Sequence, residues 1–181
     1  MIGAASGLPS LPLPRLHIHK GLGENFDLGL SGFWLTGNYL IGGDLKFVLI
    51  EGEEGLTWAF RFCYAYNKVT VESINAVTKT YAPQILVSRK MEFADPYLGL
   101  GVAYAMGSVE ADFTEQIAAE IPAGFPVPDI GKFEKTARAY GGQLFGGVSL
   151  KVPNSGLRLT IEMSYNTVGT STLGVKAGFT F

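Results

Sequence analysis

Leu56-Thr57-Trp58-Ala59-Phe60-Arg61-Phe62-Cys63-Tyr64-Ala65-Tyr66 decides how this chain is read. Large apolar or aromatic residues fill every second position, and Thr57, Ala59, Arg61 and Cys63 lie between them. Successive side chains of a strand point to opposite faces, so this period of two builds one greasy face and one small or polar face. The greasy face ends in two tyrosines, which suit a boundary between an apolar and a wet medium.

The same alternation recurs on both sides. Upstream, Phe26, Leu28, Leu30 and Trp34 oppose Asn25, Asp27, Gly29 and Ser31. Tyr39, Ile41, Leu45, Phe47 and Leu49 then oppose Gly42, Asp44 and Lys46. Downstream, Tyr81, Ile85 and Val87 oppose Gln84 and Ser88, with Pro83 marking a bulge or an interruption because it has no N–H for a ladder. Leu98, Leu100, Val102, Tyr104 and Met106 oppose glycine and alanine. Segments from Tyr140, Leu157 and Leu173 complete the series. If neighbouring segments are antiparallel, Trp34, Tyr39, Tyr64, Tyr66, Tyr81, Tyr104, Tyr140 and Tyr165 fall at one height. An apolar band rimmed by amphipathic rings is the pattern of a strand crossing a bilayer. The expectation is therefore all-β: an antiparallel transmembrane up-and-down barrel of about eight strands, with ten strands or part of a larger barrel as alternatives.

Composition fits this. The chain has 181 residues, 47% hydrophobic and only 17% charged, with a mean hydropathy of +0.22. No run approaches the roughly 18 uninterrupted apolar residues of a transmembrane helix. Its 24 glycines are about twice the usual share and suit a narrow, bent sheet. A net charge of −2 gives no basic footprint for nucleic acid. The single cysteine, Cys63, excludes an intrachain disulfide and reads as a small lumen-facing residue. Residues 2–14 lack a basic start and carry Pro9, Pro12 and Pro14, unlike a secretory signal, so a removed leader or a longer protein is expected.

Residues 24–181 form the expected barrel, and residues 1–23 an N-terminal extension or an extra strand. Leu16 and Ile18 alternate with Arg15, His17 and His19, but an even count of eight brings both ends to one side. The reading taken is eight strands plus an extension. Links near 68–78 and 107–135 are expected to be long and outward. Phe113, Ile117 and Ile121 recur at helical spacing behind Asp112, which suggests a short helix in the second link.

The last strand carries a likeness. Gly174, Val175, Ala177, Gly178 and the closing Phe179-Thr180-Phe181 resemble the C-terminal signal of Gram-negative outer-membrane β-barrel proteins. The resemblance implies a bacterial outer-membrane location and a signal of Gly174, Phe179 and Phe181 read by the barrel assembly machinery. It also implies outer-membrane lipids and lipopolysaccharide as surroundings.

The polar face supplies the candidate site. Asp44, Lys46, Arg61, Arg158, Glu162 and Lys176 are expected to pair in one lumen network, because a narrow barrel is filled by its own side chains and buried charges need partners. His17 and His19 share a face, but no carboxylate lies beside them in sequence, so no metal and no cofactor is expected. A hydrolytic triad needs a base near a nucleophile, and no Gly-x-Ser-x-Gly motif is present, so the chain is not expected to be an enzyme. The expected role is structural or interaction-based, with a possible protein partner at the 107–135 loop or the N-terminal segment. A narrow anion-preferring pore or a subunit of a larger pore is the alternative. An outer-membrane enzyme and a soluble lipocalin-like carrier come after it.

Overall fold

The computed structural model describes residues 16–23, 25–52, 55–113, 132–153, 155–167 and 170–179. Nine strands follow in chain order: β1 (Leu16–Gly21), β2 (Phe26–Leu35), β3 (Asn38–Glu51), β4 (Leu56–Val71), β5 (Ile74–Arg89), β6 (Ala94–Asp112), β7 (Lys132–Lys151), β8 (Leu157–Asn166) and β9 (Thr170–Phe179). Each pairs antiparallel with the next, in one up-and-down sheet of sequential order. The sheet curls into a half-barrel that brings β1 and β9 alongside each other. Among the described residues no ladder joins these two edges.

The count departs from eight because Leu16–Gly21 is a strand, pairing from Leu16↔Gly32 to Gly21↔Asp27. With nine strands joined by eight antiparallel steps, β1 and β9 run in the same direction, so the parity expectation fails. Six residues of alternating pattern are enough to extend an existing edge, whose free N–H and C=O groups offer a ready ladder.

The link at 68–78 also differs. β4 continues to Val71 and β5 starts at Ile74, so only Glu72 and Ser73 connect them, with Glu72 at a φ of 50°. Val69, Val71 and Ile74 extend the ladder where turn residues were read. The 107–135 loop shortens likewise: Gly107–Asp112 belongs to β6 and pairs with β7 from Lys132 onward. The suggested helix falls on residues outside those described, apart from Asp112, which ends β6, and Phe113. Asp95 lies within β6, near its start. On this side β4 to β7 climb past the tyrosines, and the link between β6 and β7 remains the longest between strands.

Local chemistry sets the remaining turns. Thr36 and Gly37 both have positive φ, 45° and 81°, the geometry of a two-residue hairpin whose twist matches its strands. At Pro83 the β5–β6 ladder skips from Tyr81↔Tyr104 to Gln84↔Gly101 without a change of register, an interruption rather than a bulge. The one bulge recorded in β3 falls between Val48 and Ile50 and turns both Leu49 and Ile50 outward.

The two faces of the sheet are opposite in character. On the convex face Phe60, Leu100, Leu144 and Ile161 are exposed, Leu100 to 63%. On the concave face Thr57, Gln84, Ala59 and Phe145 are buried. The small packed core lies inside the curl, where Ala59, Leu86 and Phe145 meet Tyr97. Gly99 and Gly147 make room for it: a Cβ on Gly99 would lie 2.7 Å from Phe145 Cε2, and one on Gly147 would lie 2.8 Å from Tyr97 Oη.

Candidate functional site

The aromatic residues form a belt across six strands. Tyr64, Tyr81, Tyr104 and Tyr140 occupy one rung of β4 to β7. Their ring centroids are spaced 5.2, 6.3 and 4.6 Å in that order. Trp34 pairs with Tyr39 across the β2–β3 hairpin at 5.9 Å, and Tyr39 stacks on Tyr66 at 5.7 Å. Tyr165 stands further along, opposite Leu144. Gly174 of β9 pairs with Glu162 of β8, and Phe179 closes β9 opposite Leu157. Phe181 lies outside the described residues.

Inside the curl, the six expected charges do not form one network. They divide into four groups, each centred on a carboxylate. Glu162 is the hub of the first: it accepts from Tyr97 Oη at 2.7 Å, Lys176 Nζ at 3.0 Å and Arg61 Nη1 at 3.4 Å. Arg61 reaches Glu162 from β4 to β8, bridging distant parts of the curl. Its Nε donates to Gln84 Oε1 at 2.6 Å, Gln84 Nε2 donates to Gln143 Oε1 at 2.8 Å, and its guanidinium carbon sits 4.5 Å from the Phe145 ring centroid. Cys63 Sγ lies 3.6 Å from Gln84 Oε1, on the same concave face. Arg158 pairs instead with Asp95 at 3.0 Å, which also holds Lys151 at 2.7 Å. Lys46 pairs with Asp27 at 3.4 Å.

Asp44 belongs to the fourth group, with the two histidines. His17 Nε2 is 3.1 Å and His19 Nε2 3.9 Å from Asp44 Oδ1. The two imidazoles meet edge to face at 4.1 Å. Register explains a meeting that the linear sequence conceals. His19 pairs with Gly29 and Gly29 with Asp44, so the three share one rung and the middle one has no side chain. A Cβ on Gly29 would fall 2.7 Å from both His19 Cε1 and Asp44 Cγ. His17, two residues from His19, projects to the same face. His17 is 8% and Asp44 9% exposed, and His17 Nδ1 and Asp44 Oδ2 are buried without a hydrogen-bond partner among the described residues. Each such atom costs about 1–3 kcal/mol.

Below these groups opens a polar cavity of about 390 Å³. Lys46, Arg61, Lys90, Lys151, Arg158 and Lys176 line it, against Asp27 and Asp95. Lys90 is itself paired with Glu51.

Sequence reading had found the charges and the aromatic residues but not Tyr97, Phe145 or Asp95 as inward groups. Phe145 was hidden because it is apolar on the polar face. Asp95 could have been found by extending the β6 alternation back from Leu98. No protein-family model matches this chain, and no curated protein shows significant similarity to it.

Proposed function

We propose that this chain is an integral β-barrel protein of a bacterial outer membrane, with a structural or interaction role and a lumen closed by its own side chains. The carrying observation is the inversion of the faces: large apolar residues are exposed on the convex side, and ion pairs are enclosed on the concave side. Soluble monomers rarely expose apolar patches beyond a few hundred Å². The continuous tyrosine belt gives such a band a boundary. Outer-membrane lipids and lipopolysaccharide are the proposed surroundings, and the barrel assembly machinery the proposed reader of Gly174, Phe179 and Phe181. The tall wall of β4 to β7, which carries the 113–131 link, is the proposed platform for a protein partner.

One observation favours a second reading, a narrow anion-preferring pore or a subunit of a larger one. The cavity lining holds more cations than acids, and no ladder joins β1 to β9 among the described residues. Single-channel recording in planar bilayers separates the two. A lumen blocked by Phe145, Leu86 and the Glu162 hub is expected to give no steady conductance. A steady conductance whose anion preference falls in Lys176→Gln would replace the first reading with the second.

A further inference from the structure

We propose that His17, His19 and Asp44 bind one divalent first-row transition-metal ion, of the class zinc represents. This does not rest on the membrane reading, since it needs only the β1–β2–β3 register. The three residues offer one ligand atom each, all within 4.8 Å of one another. A tetrahedral ion with bonds of about 2.0–2.1 Å holds its ligand atoms about 3.3 Å apart. The two measured separations from Asp44 Oδ1, 3.1 and 3.9 Å, bracket that value. The third closes by rotation of His19, the most exposed of the three side chains at 43%.

Two imidazole nitrogens and one carboxylate oxygen, with no thiolate, form a borderline donor set that suits zinc, nickel or ferrous iron rather than calcium or cuprous copper. Three protein ligands leave a further position open, and His19 lines the polar cavity from which a water or small anion would reach it. Among the described residues the buried Asp44 Oδ2 has no hydrogen-bond partner. An ion held through Asp44 Oδ1 and the two imidazoles sets a positive charge beside that buried carboxylate. The neighbouring cations Arg61 and Lys176 are both paired with Glu162 rather than opposed to the site. Gly29 keeps the space between His19 and Asp44 clear.

These are the only two histidines in the chain, so an imidazole signal from the untagged protein reports this site alone. Untagged protein, folded in detergent micelles and stripped with chelator, is titrated with Zn²⁺, and X-ray absorption is recorded on the loaded sample. One ion per chain is expected, with scattering from two imidazoles. His19→Ala and Asp44→Asn are each expected to weaken Zn²⁺ binding by roughly tenfold or more, since even outer-shell partners control 10–100-fold. Lack of saturable binding by the folded wild-type chain would overturn the proposal. So would bound zinc without imidazole scattering, or affinity unchanged in a folded His19→Ala variant. If both variants fail to fold, the wild-type absorption spectrum decides alone.

Discussion

Replacing Glu162 with alanine is expected to lower folding stability by about 1–3 kcal/mol, between the cost of removing one partner of an exposed ion pair and of a fully buried one. The carboxylate serves three donors: Tyr97, Arg61 and Lys176. Without it, Arg61 and Lys176 keep their charges in an enclosed place with no counter-ion. The Tyr97 hydroxyl loses its acceptor as well. Denaturant titration of the protein refolded in micelles, followed through Trp34 and Trp58, measures the effect. The triple change Arg61→Leu, Glu162→Leu, Lys176→Met is expected to recover most of the loss, because apolar side chains of similar volume replace a buried ionic cluster at little net cost. A Glu162→Ala variant as stable as wild type would mean that water, not protein, solvates these charges.

The second large effect is expected on the opposite face. Leu100 precedes Tyr104 by four residues of β6. At roughly 3.4 Å per residue and a tilt of about 40°, it sits about 10 Å from the tyrosine belt, close to the middle of an apolar band about 25 Å tall. Leu100→Arg is then expected to cost about 2–4 kcal/mol in liposomes. Val71→Arg, at the β4 tip beyond Tyr66, is expected to cost about 0–1 kcal/mol, since the penalty fades towards the interface. Both leucine and valine are exposed, at 63% and 57%. In water, exposed positions tolerate such changes about equally. The difference between the two variants, measured by reversible unfolding from lipid vesicles, therefore carries the result.

Face assignment was the part of this structure most legible in the sequence. Alternation placed Phe60 outward and Arg61 inward because the side-chain period of a strand is fixed by its backbone. The belt was legible for the same reason, once antiparallel neighbours were assumed. Strand ends were not. Val69 to Val77 mixes polar and apolar residues, and beyond the tyrosines both faces of β4 and β5 meet similar surroundings, so alternation no longer reports pairing. The ninth strand was kept only as an alternative on the strength of a parity rule, although Leu16–Lys20 already alternated. Pairing of individual charges was the least legible. Arg61 to Glu162 spans 101 positions. The His–Asp group depends on Gly29 standing between its members, which becomes visible only when two registers are known together.

The most direct measurement is the accessibility of a nitroxide on the convex face. Leu100→Cys in a Cys63→Ser background, spin-labelled and reconstituted into liposomes, is probed by oxygen, which concentrates in hydrocarbon, and by a neutral nickel chelate, which stays in water. Oxygen collisions well above nickel collisions are predicted. The reverse order in the folded protein would place this face in water and contradict a chain that meets lipid with its apolar side.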